Sequence, residues 1–309
     1  MSFSSQIKED LTRLRLRSEA QKRAELAGLA QGCGALYLGR VGKGAAFTSE
    51  SLPVGKRIAA LAGALYALDV SMELSRQQRR KSPLVTVTLT GADAEKLLLD
   101  TGLLRSAPDG VTLGEGLPGG LDGNEELTRC FLRGLFLGGG SCMNPGRGYH
   151  LELVVRAEGL CEQVAALIRS FGVAARRRKR REAYVVYCKG EDVSGFLALI
   201  GASGGALAFE SVRAEREFRN YVNRKSNCET ANIGKTVDAA LAQTRAIELI
   251  ERTMDLSRLP APLYEAAMLR LGHPDATLQE LADLAEIGKS GMNHRLTRLI
   301  RMAEEIEHG

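Results

Sequence analysis

Residues 290–301, near the end of the chain, combine polar and basic side chains with apolar residues at helical spacing. The amide of Asn293 and the imidazole of His294 fall early in this stretch, and basic side chains surround them. Polar groups in the first turn of a helix can bond base edges in the major groove, while neighbouring basic groups contact phosphates. The pattern predicts DNA contacts at Lys289, Ser290, Gly291, Asn293, His294, Arg295 and Arg298. The alternative interpretation is a solvated helix face on a small winged or dimerising module.

The densest basic run of the chain lies far from that helix, at residues 176–181. One interpretation is a solvated hairpin tip without a partner, and the other is attraction to a polyanion such as DNA. The run contains no aromatic residue, which argues against sequence-specific recognition of a single strand by base stacking. Under the second interpretation, accessory DNA contacts are expected at Arg176, Arg177, Arg178, Lys179, Arg180, Arg181, Arg224 and Lys225.

The cysteines and histidines do not have the spacing of a metal site. Six cysteines, at positions 33, 130, 142, 161, 188 and 228, include no Cys-x-x-Cys pair, and the four histidines show no ligand spacing. The first residues lack the apolar core of a signal peptide, and no apolar run reaches membrane-spanning length. We therefore expect a cytoplasmic protein with reduced thiols, no metal, no cofactor, no membrane partner and no small-molecule substrate.

Three short helices must position the DNA-binding residues. Residues 263–271 have helical periodicity and end at a Gly-His-Pro stop, and Thr277 with Glu280 forms a capping box before a second helix. Residues 286–288 predict a tight turn, and Ser290 predicts the N-cap of the last helix. We therefore predict an all-α helix-turn-helix domain at residues 260–309.

Residues 26–34 and 132–140 align without a gap and carry glycines at the same positions. Glycine is a poor helix former, and glycines four residues apart leave one helix face on which two backbones can approach closely. We predict that these two helices join the halves of a duplicated domain, the alternative being two unrelated glycine-bearing helices. The predicted interface residues are Gly28, Gly32, Gly134 and Gly138, with Gly34 and Gly140 as left-handed C-caps.

The segments that follow the two glycine helices support a duplication, since helices and strands recur in a similar order. The predicted fold class is α+β, a tandem αββαββα pseudo-twofold domain followed by an all-α domain. A chain of 309 residues is long enough for two or three domains, and its net charge is +5. We predict an N-terminal helix and first repeat at 1–106, a connector at 107–123, the second repeat at 124–209 and a linker with a long helix at 210–259.

The paired motif Leu-x-Gly-Leu-x-x-x-x-Gly resembles the paired helices of LAGLIDADG homing endonucleases. In that family the next-to-last position is acidic, and the two carboxylates hold the metals that cut DNA. Cys33 and Gly139 occupy those positions here, and neither nine-residue motif contains Asp or Glu. Because magnesium-assisted cleavage requires hard oxygen ligands, we predict a LAGLIDADG-like scaffold without catalytic residues and without enzyme activity.

The order of parts resembles the WhiA sporulation-regulator family of Gram-positive bacteria. The resemblance implies a nucleoid-associated transcriptional regulator linked to sporulation, cell division and chromosome segregation. It also implies double-stranded DNA as a partner, together with a transcription factor or sigma factor. The Asn-Cys-Glu-Thr-Ala-Asn stretch at 227–232 is the most specific agreement. The other matching stretches are 131–134, 149–152, 184–187, 223–224 and 289–296.

Two other functions remain open on the sequence. One is an active LAGLIDADG-type DNA endonuclease with relocated carboxylates, for which magnesium-dependent nicking of a plasmid would be diagnostic. The other is a cell-division scaffold protein whose DNA contact is incidental. Occupancy confined to promoters, and lost with the last helix, would count against the scaffold.

Overall fold

The computed structural model describes residues 2–39, 42–76, 83–121 and 123–308. Between Glu215 and Arg216 the chain divides into two units, residues 1–215 and 216–309. Helix α1 (Phe3–Thr12) opens the first unit and buries Ile7 and Leu11. The predicted connector at 107–123 contains a strand, because β5 (Leu104–Ala107) pairs with β6 (Gly110–Leu113) in a two-stranded hairpin.

The first repeat begins with α2 (Glu19–Cys33), whose N-terminus carries a capping box between Ser18 and Gln21. Its antiparallel sheet has the strand order β1-β2-β4-β3. Alternate residues of β4, including Val87 and Leu89, are fully buried, which fixes the face that packs on the helices. The remaining elements are β1 (Gly34–Gly39), β2 (Gly42–Ser49), α3 (Leu52–Leu65), β3 (Asp69–Ser75), β4 (Leu84–Thr90) and α4 (Ala94–Asp100).

The second repeat begins with α5 (Glu125–Gly139), which Asn124 caps by accepting a hydrogen bond from the backbone of Leu127. Its sheet has the order β7-β8-β10-β9, the same arrangement as in the first repeat. The predicted tandem αββαββα domain is therefore confirmed. The elements are β7 (Gly140–Cys142), β8 (His150–Val155), α6 (Glu158–Ser170), β9 (Arg176–Arg180), β10 (Ala183–Lys189) and α7 (Asp192–Leu199).

Helices α2 and α5 approach each other backbone to backbone at the aligned glycines. A Cβ atom built on Gly28 would lie 2.6 Å from Leu135 N and closer still to Phe131 O. A Cβ atom on Gly32 would lie 2.6 Å from Gly139 N, and Gly134 and Gly138 face the α2 backbone in the same way. Every side chain larger than hydrogen is therefore excluded at the crossing unless the helices separate.

The left-handed C-caps predicted at the ends of α2 and α5 are wrong. Gly34 has φ −82° and ψ 153°, and Gly140 has φ −86° and ψ 150°, so both already have strand geometry. Each helix passes directly into a strand without an intervening turn. Glycine is needed for a different reason, since a Cβ atom on Gly34 would lie 2.6 Å from Ala30 O and one on Gly140 would lie 2.6 Å from Phe136 O.

The buried carboxylate of Glu25 joins α2 to both α3 and α5. Glu25, which has no solvent exposure, accepts a hydrogen bond from Arg57 Nε on α3 at 2.7 Å and another from Arg133 on α5 at 3.1 Å. Arg57 also donates to the carbonyl of Leu14, and Arg133 donates to that of Ile200. Breaking such a buried, hydrogen-bonded ion pair is expensive because it leaves an unpaired charge in the core.

Helix α8 (Ser203–Thr253) occupies most of the segment predicted as a linker with a long helix. It starts at Ser203, seven residues before the predicted segment, and the stretch from 210 to 232 is helical throughout. That stretch contains no proline, so its polar composition does not interrupt the helix. Residues 214–239 are exposed at every position, the apolar Phe218, Tyr221 and Val222 included, so this part of the helix has no buried face.

The second unit packs three helices onto the end of α8. Ile247 and Ile250 of α8 share a core with Leu281, Met292 and Leu296. The predicted capping box at Thr277 and Glu280 is confirmed at the start of the second of these helices. The helices are α9 (Ala261–Gly272), α10 (Leu278–Leu284) and α11 (Lys289–His308), with a short 3-10 turn at Leu256–Arg258.

The predicted tight turn between α10 and α11 is also confirmed. Glu286 has φ 52°, and the backbone N–H of Ile287 donates to Ala282 O at 3.0 Å. The predicted N-cap role of Ser290 is wrong because α11 begins one residue earlier, at Lys289. Gly288 O accepts from the backbone N–H of Met292, so Ser290 lies within the first turn.

Candidate nucleic-acid interface

Helix α11 has one buried face and one polar, basic face. Met292, Leu296 and Leu299 have no solvent exposure, whereas Asn293 and His294 are exposed in the first two turns. Lys289, Ser290 and Gly291 are exposed at the start of the helix, and Arg298 is exposed one turn beyond His294. The exposed residues can meet base edges and phosphates, provided that this face enters a DNA groove.

Arg295 differs from the other predicted contacts because it already has an acidic partner. Its Nη1 atom donates to Glu265 Oε2 on α9 at 2.7 Å, and its side chain is only 21 % exposed. A phosphate would have to compete with this carboxylate for the guanidinium. The structure therefore separates Arg295, which links α11 to α9, from Asn293, His294 and Arg298, which are open to solvent.

The pairing register of the second sheet divides the basic run between two faces. Arg178 lies opposite Val185, and Arg176 lies opposite Tyr187, which in turn lies opposite Glu152 of β8. Arg176, Arg178 and Arg180 therefore share the open face of the sheet. Arg177 and Lys179 lie on the helix-covered face, where Arg177 forms an ion pair with Glu162 of α6. Arg181 is in the hairpin turn with φ 56°.

Glu152 is the negative centre of this open face. It pairs with Arg178, accepts a hydrogen bond from Arg180 Nη1 at 2.9 Å, and lies 2.8 Å from His150 Nε2. Burial raises the pKa of Glu152, but the His150 hydrogen bond and the two arginine charges outweigh it and hold the pKa below its ordinary value. One carboxylate that stays ionised thus binds two of the six basic residues in the run and balances one of their two charges.

The ring of Tyr187 contacts two cations and one imidazole on the same face. Arg178 lies 5.6 Å and Lys189 lies 5.5 Å from the centre of its ring, and His150 packs on it at 5.6 Å. The distances to the two cations are within the range of cation–π interactions. The open face therefore combines positive charge with one aromatic ring, although no aromatic residue is present within the basic run itself.

The equivalent face of the first repeat has a different character. One row across its strands is Ala35, Ala46, Thr88 and Ser71, and the next contains Thr48, Thr86 and Glu73. Among the strand residues that the structure describes, the charged side chains on this face are Asp69 and Glu73, and none is basic. On the strand residues that the structure describes, the open face of the first repeat is acidic and that of the second is mostly basic, so the described strands of the second repeat offer the more favourable surface for a polyanion.

The ends of α2 and α5 hold cations where the resemblance places catalytic carboxylates. Lys8 and Arg156 both lie within electrostatic reach of Cys33. Burial lowers the pKa of Lys8 to about 8 and raises the pKa of the Cys33 thiol to about 11. A Cβ atom on Gly139 would lie 2.7 Å from Val154 O, so a longer residue does not fit there without rearrangement.

Within the described ranges, no group of three or more His, Cys, Asp or Glu side chains could hold a metal ion. Over the same residues, no helix is both long enough and apolar enough to cross a membrane. Arg224 and Lys225, the remaining predicted accessory contacts, are exposed on α8. The structure adds two cations that the sequence analysis did not select, Lys235 on α8 and the buried Arg270 on α9.

These features define a class of protein: a LAGLIDADG-like double repeat without acidic residues at the ends of its paired helices, followed by a helix-turn-helix unit. The sequence-family model for the WhiA LAGLIDADG-like domain matches residues 128–219, and the sequence-family model for the WhiA C-terminal HTH domain matches residues 222–303. The chain belongs to the WhiA family.

Relatives and a solved structure agree over the whole length. The chain is 38% identical to the probable cell division protein WhiA of Exiguobacterium sibiricum, covering 100% of this chain and 98% of that protein. It is 36% identical to the protein of the same name from Staphylococcus haemolyticus, covering 100% and 98%. The crystal structure of full-length DUF199/WhiA from Thermatoga maritima aligns with a TM-score of 0.61 and 27% identity over 99% of both chains.

Proposed function

We propose that this protein is a sequence-specific, double-stranded-DNA-binding transcriptional regulator that acts in cell division, sporulation and chromosome segregation. The observation that carries the proposal is the polar and basic face of α11, which is exposed while the opposite face forms the core of the helix-turn-helix unit. The names of the relatives support the part in cell division. In this proposal the protein works at the nucleoid, with a transcription factor or sigma factor as a partner.

The LAGLIDADG-like domain has a non-catalytic role in this proposal. Lys8 and Arg156 near the helix ends disfavour a divalent metal ion, because like charges repel in a poorly solvated site. Its second sheet supplies accessory, sequence-independent contacts through Arg176 and Lys189, for which the described residues show no acidic partner. Arg224 and Lys225 on α8 belong to the same accessory set.

The proposal assigns different tasks to two residues of α11. Asn293 reads a base edge, whereas Arg298 contacts a phosphate and carries no sequence information. Arg298→Ala is expected to weaken binding on all DNA alike and to lower the salt-dependence slope by about 1. Asn293→Ala is expected to cost about 1–3 kcal/mol on the preferred site, with little effect on random DNA or on the slope.

Binding isotherms at several salt concentrations, for both variants on both DNAs, measure this difference. The preferred site comes first from genome-wide occupancy of the full chain. Arg252→Ala, an exposed change of equal charge on α8, is the matched control and should leave both properties nearly unchanged. If Asn293→Ala and Arg298→Ala shift the isotherms identically, α11 does not read sequence and the proposal fails.

A further inference from the structure

A groove in the second unit joins the last part of α8 to the helix-turn-helix. It has a volume of about 500 Å³ and is lined from α8 by Lys235, Thr236 and Gln243 and from α11 by Lys289 and Asn293. Lys235, Ala239 and Gln243 are spaced four residues apart, so they share one face of α8. The groove is thus continuous with the residues of α11 that the proposed function assigns to DNA.

The third cation of the groove, Arg270, carries a charge that no carboxylate balances. Arg270 is 2 % exposed, and its Nε donates to Gln243 Oε1 at 2.9 Å. Its Nη1 donates to three carbonyls, of which Ala276 O is nearest at 2.7 Å. All these acceptors are neutral, and no ion pair of Arg270 occurs in the part of the chain that the structure describes.

The groove therefore carries a net positive charge, to which its α10 side, Thr277, Leu278 and Gln279, adds only neutral groups. Lys235 and Lys289 are exposed at its edges, Arg270 lies beneath, and no Asp or Glu is among its described lining residues. Burial lowers the pKa of Arg270 below its ordinary value, which shows that its own surroundings do not fully compensate the charge. An anion in the groove would gain from all three cations.

We propose that this groove binds a backbone phosphate of double-stranded DNA and that Lys235 on α8 is a phosphate contact. The inference rests on the proposed function and extends it, because it makes α8 part of the DNA-binding surface. Thr236 is not part of this contact, because its hydroxyl already donates to Asn232 O at 2.9 Å within α8. Lys235 lies outside residues 260–309, so the predicted helix-turn-helix domain does not by itself contain the contact.

The test compares Lys235→Ala, Lys235→Arg and Arg252→Ala in the full chain, on a duplex of random sequence at several salt concentrations. Loss of one phosphate contact lowers the salt slope by about 0.9, so the affinity lost between 50 and 200 mM salt shrinks about 3.5-fold. That change is expected for Lys235→Ala only. Arg252 is exposed on α8 and does not line the groove, so its removal controls for the loss of net charge. Lys235→Arg should keep the wild-type slope.

The outcomes separate this inference from the proposed function. If the wild-type protein binds no duplex, the proposed function fails. If Arg298→Ala lowers the slope while Lys235→Ala behaves like Arg252→Ala, only the groove assignment fails. Inorganic phosphate, titrated without DNA and followed by calorimetry, provides the second arm. Saturable phosphate binding that Lys235→Ala removes, combined with an unchanged DNA slope, would assign the groove to a free oxyanion and overturn the DNA assignment.

Discussion

Lys8 lies close to Cys33, one of the two positions at which the resemblance to LAGLIDADG endonucleases places a catalytic carboxylate. Its ammonium group lies 5.8 Å from the centre of the Phe136 ring and within electrostatic reach of Cys33 and Glu50. Burial outweighs the favourable interactions and lowers its pKa from 10.5 to about 8. The folded protein therefore binds fewer protons at this site than the unfolded chain between pH 8 and about 10.5, so the contribution of Lys8 to the stability of the first unit rises with pH there.

Lys8→Met is expected to raise the free energy of unfolding of the first unit at pH 7, because it removes the charge that burial destabilises. The change in the free energy of unfolding between pH 8 and pH 9 should also be about 1 kcal/mol less positive in Lys8→Met than in the wild type. Burial also raises the pKa values of the thiols of Cys33, Cys130, Cys142, Cys161 and Cys188, which lowers stability as the pH approaches and passes 9, in the wild type and in Lys8→Met alike. Denaturant unfolding at pH 7, 8 and 9 measures both effects.

Lys56→Met, a change of an exposed lysine on α3, is the control for the general loss of charge. It should leave the pH dependence as in the wild type. Equal slopes for Lys8→Met and the wild type between pH 8 and 9 would mean that Lys8 is solvated and that its burial has no energetic effect.

At the scale of single residues, the sequence located the face of α11 but not the partners of its side chains. Asn293, His294 and Arg298 could be selected because helical periodicity alone decides which positions point outward. The pair between Arg295 and Glu265 could not be predicted, since the two residues are distant in sequence and belong to different helices. Arg270 left one signal, an arginine on the same helix face as the buried Ala266 and Ala267.

The crossing of α2 and α5 is decided at the scale of elements. Gly28→Ala and Gly134→Ala are each expected to destabilise the first unit by about 1–3 kcal/mol or more, since the new methyl group meets backbone atoms that cannot rotate away. Gly63→Ala on α3 is the matched control, because nothing lies within 4 Å of a Cβ atom there. It should stabilise the protein by about 0.5–1 kcal/mol through helix propensity.

Denaturant or thermal unfolding of the full chain, followed through the transition of the first unit, distinguishes the two directions. Melting of Gly28→Ala and Gly134→Ala that matched Gly63→Ala would show that α2 and α5 are not in backbone contact in solution.

The order of helices and strands was predictable where the hydrophobic periodicity is strong. It was not predictable where a strand is very short or where every residue of a helix is exposed to solvent. The six-residue strand β8 alternates between buried and partly exposed residues, and the seven-residue β10 is apolar from Ala183 to Cys188, whereas β7 has three residues and β6 four, too few for a pattern to be recognised. Helix α8 was only partly predicted because residues 214–239 have no buried face. Gly34 and Gly140 were assigned to the wrong conformation because a direct helix-to-strand transition leaves no separate sequence signal.

For the whole molecule, the chemistry at the ends of α2 and α5 leads to a prediction about activity. We expect the purified full chain to leave plasmid DNA intact in the presence of magnesium or manganese. Cys33 is a poor ligand for a hard cation, Gly139 offers no side chain, and Lys8 and Arg156 add positive charge. Agarose gels of supercoiled plasmid, with and without chelator, measure the result. Chelator-sensitive nicking or double-strand cutting would contradict it and would favour the endonuclease alternative.

The charge asymmetry of the two sheets also belongs to this scale. Duplication supplied two copies of one architecture, but Glu73 and Asp69 occupy the open face of one copy and Arg176, Arg178 and Arg180 that of the other. Among the strand residues that the structure describes, the second sheet is therefore better suited to accessory DNA contact. The sequence displayed the basic run, but the division of its arginines between faces needed the register, which one residue of slippage would invert.

The backbone contact between α2 and α5 has a consequence for genetics. Where two side chains touch, a mutation that enlarges one can be offset by a second mutation that shrinks the other. At Gly28 the opposing atoms are Leu135 N and Phe131 O, which every amino acid possesses, so α5 contains nothing that could be made smaller. Suppressors of a Gly28 substitution are therefore expected only as true revertants or as changes that stabilise the first unit elsewhere. No substitution in one repeat can therefore compensate for a larger side chain at the helix crossing in the other repeat.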